Sequence, residues 1–170
     1  MLIQKNFSAK LKSMFEFLSG CQMRGSQLKL SSNPDLIDLI SCGELTSHSD
    51  PLSEIRLVKN GMKASGVYAF ANAMGWNMTT IAQAIGTTSM MLSRSKAKLL
   101  SSHTSENALE VAKLSMIGID YFGSIDIWNA WLNNAHIKLD GREPRTMLNS
   151  IRGRELIKSV IKQLQFGFTA

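Results

Sequence analysis

An all-α fold follows from three features of the sequence. Val, Ile and aromatic residues alternate over no long run, apolar residues recur at intervals of three and four in segment after segment, and only three of the 170 residues are proline. The chain is long enough to bury a proper core, and its 44% hydrophobic and 19% charged content is that of a globular protein. The expected architecture is a helix-turn-helix bundle followed by a small helical C-terminal domain. The boundaries fall at residues 1–52 (extension), 53–123 (helix-turn-helix region) and 124–170 (C-terminal domain).

In the extension, Ile3, Phe7, Leu11, Met14, Phe15 and Leu18 form one stripe with Lys5, Lys10 and Lys12 opposite. This predicts an amphipathic helix ended at Gly20. Such a basic helix either packs on the rest of the chain, the commoner arrangement, or lies on a membrane. Glu16 argues against a cleaved transit peptide. From Cys21 to Asp50, Ser, Gly, Asn and Asp take over. That composition predicts a linker with one short helix, opened by Asn33-Pro34 with the proline at the first helical position and closed at Ile40.

After Asp50-Pro51, Ser53 is placed to cap a helix carrying Ile55, Leu57 and Val58 that stops at Asn60-Gly61. The next helix puts Val67, Phe70, Ala71 and Met74 on one face and ends at Gly75. Met78 to Lys98 then reads as two short helices joined by a tight turn. Ala82 is small where the helices cross, Ile81 and Ile85 face the crossing, Gly86 tolerates a positive φ, and Leu92 returns to the core. The second helix is the expected recognition helix. Thr88, Ser89, Met90, Ser93 and Arg94 point outward with side chains long enough for base edges, and Thr79, Lys96 and Lys98 complete the expected DNA-binding set.

Charge agrees with that assignment. With 19 basic and 13 acidic residues the net charge is +6. No Asp or Glu lies between Glu54 and Glu106, where Arg56, Lys59, Lys63, Arg94, Lys96 and Lys98 all fall. A basic field confined to one segment suits phosphate binding by counterion release. A solubilising face is the competing reading.

Beyond Lys98, Ser105 precedes a helix from Asn107 to Phe122 that is apolar nearly all round. Such a helix must be buried on several sides, here by the preceding hairpin and, as the simplest expectation, by a second subunit. Its methionines read as core filler. Ile127, Trp128, Trp131 and Leu132 stripe a further helix, Lys138 to Pro144 makes a turn into a short helix with Met147 and Leu148, and Leu156, Ile157, Val160, Ile161 and Leu164 stripe the last one, ended by Gly167.

Cys21 and Cys42 form no CxxC, and the three histidines are isolated, with His103 and His136 flanking helices as expected surface residues. Neither a metal site nor a disulfide framework is indicated, so a reduced cytosol fits best. No run approaches the roughly 20 apolar residues of a membrane span. No Ser, His and carboxylate grouping suggests a nucleophile and base, and no Gly-rich phosphate loop follows a strand, so neither an enzyme nor a cofactor is expected.

From about Ser53 to Ala170 the chain resembles the Xre-type antitoxins of the Xre/MbcA/ParS group. The resemblance rests on Val58 to Gly61 followed by Ala64, on Ala82, Gly86, Leu92 and Arg94, on Phe122-Gly123, and on Ala130-Trp131-Leu132. It continues through Leu139, Gly141, Pro144, Leu148, Gly153, Val160 and Leu164 to Gly167-Phe168-Thr169-Ala170. Glu143 departs from the usual Thr before the proline, which weakens an N-cap, and Ser95 stands at a helix-turn-helix position that is normally apolar. Residues 1 to about 52 match nothing in the pattern.

The resemblance implies a protein that binds operator DNA in its own promoter and silences a RES-domain toxin, a NAD-consuming enzyme resembling ADP-ribosyltransferases. A stand-alone repressor without a toxin is the alternative. A homodimer is expected, because one helix-turn-helix reads too few base pairs, with a higher-order complex when toxin binds. Phe166 and Phe168 flank Gly167, and something should bury them, either the protein's own last helix beside Leu164 or a toxin. The expected toxin-binding set is Phe166, Gly167, Phe168, Thr169 and Ala170 in the toxin's NAD cleft, with Arg152, Arg154 and Lys158 at its rim.

Overall fold

The two carboxylate oxygens of Asp35 tie a loop to a helix start: Oδ1 accepts from the backbone of Ile37 and Asp38 and Oδ2 from that of Ser47. The computed structural model describes residues 34–94 and 98–167. The helix expected over residues 1–20 lies outside the described residues, as do Ser95, Lys96 and Phe168-Thr169-Ala170.

The described residues form eight α-helices and no strand. In chain order they are α1 (Leu36–Ser41), α2 (Pro51–Asn60), α3 (Ala64–Ala73), α4 (Met78–Ala84), α5 (Ser89–Arg94), α6 (Ser102–Phe122), α7 (Ile125–Asn133) and α8 (Ile151–Gln165). Two 3₁₀ turns, Ile137–Leu139 and Pro144–Met147, connect α7 to α8. The all-α expectation holds.

Three helix starts differ from those expected. Asp35, not Pro34, opens α1, because its carboxylate meets the free amides of the first turn. Asp50 caps α2 and leaves Pro51 in its first turn, so Ser53 lies inside the helix. Ser101 caps α6 through the Thr104 amide, and Ser105 is buried one turn later, where its Oγ accepts from Met62 N at 2.9 Å. Glu143 makes no side-chain cap.

Residues 34–50 are no linker. Leu36, Ile37, Ile40 and Leu45 are buried, and α1 packs on both α3 and α6. Packing thus begins well before residue 53. The division at 123/124 does not separate two cores either, for one apolar cluster takes in Ile40, Phe70, Ile85 and Leu114 together with Trp128, Leu148 and Ile157.

Helix α6 is the axis of that cluster. It is covered by α1, α2, α7 and α8 of its own chain, so its burial does not call for the second subunit that its all-round apolar sequence suggested. Trp128 closes onto Gly118, where an added Cβ would stand 2.4 Å from the indole. Stripe positions at helix edges are less covered than expected: Ile127 is 53% and Leu156 42% exposed.

Candidate nucleic-acid interface

Asn77 starts the hairpin by accepting the Thr80 amide at 2.8 Å. Helix α4 ends at Ala84, and Gly86 takes φ +72°, the left-handed conformation that a glycine adopts without strain. Thr87 N then donates to Ala82 O at 2.8 Å, which folds the chain back, and Thr88 Oγ1 receives the Met91 amide at 3.2 Å to open α5. Ile81, Ala82, Ile85 and Leu92 are all buried at 1% exposure or less, as their places in the hairpin require.

Thr79, Thr88, Ser89, Met90, Ser93 and Arg94 are exposed on this hairpin, and Lys98 is exposed beyond it. Lys96 lies outside the described residues. The structure adds Gln83 and Met91 to the exposed set. Met91 was legible in principle: a six-residue helix attached through one leucine turns every other side chain outward. After the hairpin the chain returns to the body through Leu100, whose amide donates to Met62 O at 2.8 Å beside an antiparallel bridge of Lys63 with Leu99.

The basic field is less uniform in space than in sequence. Lys63 pairs with Glu44 at 3.2 Å, an acid from outside the segment, and Arg56 donates to Ser53 Oγ. Lys59, Arg94 and Lys98 are exposed.

The residues expected to meet a toxin do not share one face. Arg152 is exposed, but Arg154 is only 3% exposed. Its guanidinium donates to Leu148 O at 2.8 Å and to Asn107 Oδ1 at 2.9 Å. Burial lowers its pKa, against the raising influence of Glu110, Glu106 and Glu155. Positions two apart on a helix point about opposite ways, so Arg152 and Arg154 cannot both reach one partner. Arg154 is therefore withdrawn from the expected rim. Lys158 is half-buried and bridges Glu110 at 3.4 Å and Glu155 at 3.2 Å. Phe166 is 67% exposed and so does not fold back onto α8, and Gly167 has φ +68° where the helix ends.

Sequence reading missed a polar node at the foot of the hairpin. Asn129 accepts from Trp76 Nε1 at 2.6 Å and donates to Met74 O at 2.8 Å, while Arg145 stacks over the Trp76 ring, 4.8 Å from its centroid. The lead-in to α4 is thereby tied to α7 and to the second 3₁₀ turn. No spacing rule would have joined residues so far apart in sequence.

Among the described residues, no group of three or more His, Cys, Asp or Glu is placed to hold a metal ion, and no helix is long and apolar enough to cross a membrane. Compared with known proteins, the chain matches no protein-family model and no curated relative.

Proposed function

We propose that the protein is a DNA-binding antitoxin that represses its own operon and neutralises a RES-domain, NAD-consuming toxin. The observation that carries the DNA half is the hairpin Met78–Arg94, apolar and buried on its inner side and lined outward by Thr79, Thr88, Ser89, Met90, Ser93 and Arg94. Polar side chains on a short protruding helix are what reading of a major groove needs. Two copies on a two-fold operator extend the reading to enough base pairs for specificity.

The toxin half rests on the sequence resemblance. An exposed Phe166 followed by a left-handed Gly167 supports it, since a ring left in water gains by burial in a partner.

The test uses the purified full chain. Titration of fluorescent promoter DNA should show specific binding with a steep salt dependence, and sedimentation should show a dimer at micromolar concentration. NAD loss catalysed by the protein encoded beside it should cease on adding the full chain and persist with a chain ending at Phe166. Promoter binding without any NAD-consuming neighbour would leave the stand-alone repressor. Absence of promoter binding would remove the DNA half.

A further inference from the structure

Asn107 and Arg154 are buried polar residues, 5% and 3% exposed, and are larger than the other buried polar residues, Ser41, Ser105 and Ser115. Neither belongs to the exposed face of the hairpin, yet they form one chain of hydrogen bonds that ends on the hairpin's turn. Arg154 in α8 donates to Asn107 Oδ1 in α6, and Asn107 Nδ2 donates to the Ile85 carbonyl at 3.2 Å. Ile85 is the residue that closes α4, so its carbonyl has no partner within the helix. The next residue is Gly86, where the chain turns toward α5; an added Cβ there would be 3.6 Å from Asn107 Nδ2.

The chemistry of the pair fixes a direction. A guanidinium has only donors, so Arg154 admits the oxygen of the Asn107 amide and not its nitrogen. With Oδ1 held there, Nδ2 must face Ile85 O and His103 Nε2, which lies 3.3 Å away. Arg154 is itself held at its other end by Leu148 O. The turn is thereby gripped from the body of the protein, and grip matters at this place: α5 has six residues and buries only Leu92, and the other hydrogen bonds of the turn, such as Thr87 N to Ala82 O, lie within the hairpin itself.

We propose that Asn107 and Arg154 are positioning residues for DNA binding, which act by fixing the Ile85–Gly86 turn and hence the direction of the recognition helix. The proposal rests on the DNA-binding reading above. It assigns to α8 a hold on the hairpin that the expected role of Arg154 at a toxin rim would not have given.

The discriminating variant is Asn107→Asp in the full chain. Its carboxylate still accepts from Arg154 but cannot donate to Ile85 O, so the link to the turn is broken while Arg154 keeps its acceptor. Operator affinity, melting temperature and amide exchange are measured together. We expect a Kd raised about tenfold or more, the scale of one buried hydrogen bond, with exchange accelerated more at Thr87 and Leu92 than at Leu114 in α6. Folded Asn107→Asp with parental Kd and parental exchange at Thr87 and Leu92 would overturn the proposal. Should Asn107→Asp not fold, Arg154→Lys, which keeps the cation and loses the two-pronged grip, is expected to show the same changes to a smaller extent, and parental values there would overturn it equally. A parent protein that binds no DNA removes the DNA-binding reading and this role together; a parent that binds, with unaltered variants, removes this role alone.

Discussion

Asp35 satisfies three backbone amides with one carboxylate, and its titration records that. Burial pushes its pKa up, but the hydrogen bonds from Ser47, Asp38 and Ile37 outweigh burial and leave it below the ordinary carboxylate value. A group depressed in the folded state stabilises it above the unfolded pKa and loses that contribution as pH falls through the folded one. Asp35→Ala should therefore cost about 1 kcal/mol at neutral pH. Urea unfolding of parent and variant should show the gap narrowing below about pH 4; an equal gap in strong acid would contradict this account. On the DNA side, Arg94→Ala should weaken specific operator binding by about 1–3 kcal/mol, as loss of a base contact does. Lys98→Ala should weaken all sequences alike and flatten the salt dependence. Equal operator affinity for Arg94→Ala and the parent would take Arg94 out of the readout. Single residues were legible in sequence where the backbone alone decides, as at Gly86. They were not legible where a distant partner decides, and Arg154 is the case: its helix stripe was read correctly at Ile157, Val160 and Ile161, but a charged residue on the same inward side was assigned to the surface.

Helices were found more reliably by their ends than by their beginnings. Gly61, Gly75 and Gly123 all take positive φ at helix ends, as a C-terminal glycine should. The beginnings slipped by a turn at α2 and α6 because each holds two competing caps, Asp50 with Ser53 and Ser101 with Ser105. Apolar periodicity starts only after a polar first turn, so it favours the later cap. Between elements, one close approach that sequence could not show is α7 on α6. Trp128 is fully buried against Gly118 and stacks on Trp131, with ring centroids 5.3 Å apart. Gly118→Ala should cost about 1–3 kcal/mol, because its methyl group would displace the indole. A melting temperature equal to the parent's would show that α7 is free to shift.

At the scale of the whole molecule, composition misled. Serine, asparagine and glycine between Cys21 and Asp50 suggested a linker, yet Leu36, Ile37, Ile40 and Leu45 enter the core, and periodicity says nothing of which distant helix receives them. A fragment of residues 53–123 lacks Leu36, Ile37, Ile40, Trp128 and Leu132, all within the cluster around α6. Circular dichroism of that fragment is expected to show it largely unfolded, while the full chain melts in one transition. A fragment with parental helicity and a sharp melt would restore the separate helix-turn-helix domain.

A body with one core opens as a unit, and this gives the ion pairs of α8 with α6 a meaning beyond their own small energies. A partner seated on α8 at a hundred times its dissociation constant lowers the open population by a factor near that hundred, about 2.7 kcal/mol. The gain is not confined to the covered surface. Peptide bonds in α1, which packs on α3 and α6, are withdrawn from proteases to the same degree as those beneath the partner. The lifetime of α1 in a cell then becomes a readout of whether α8 is occupied.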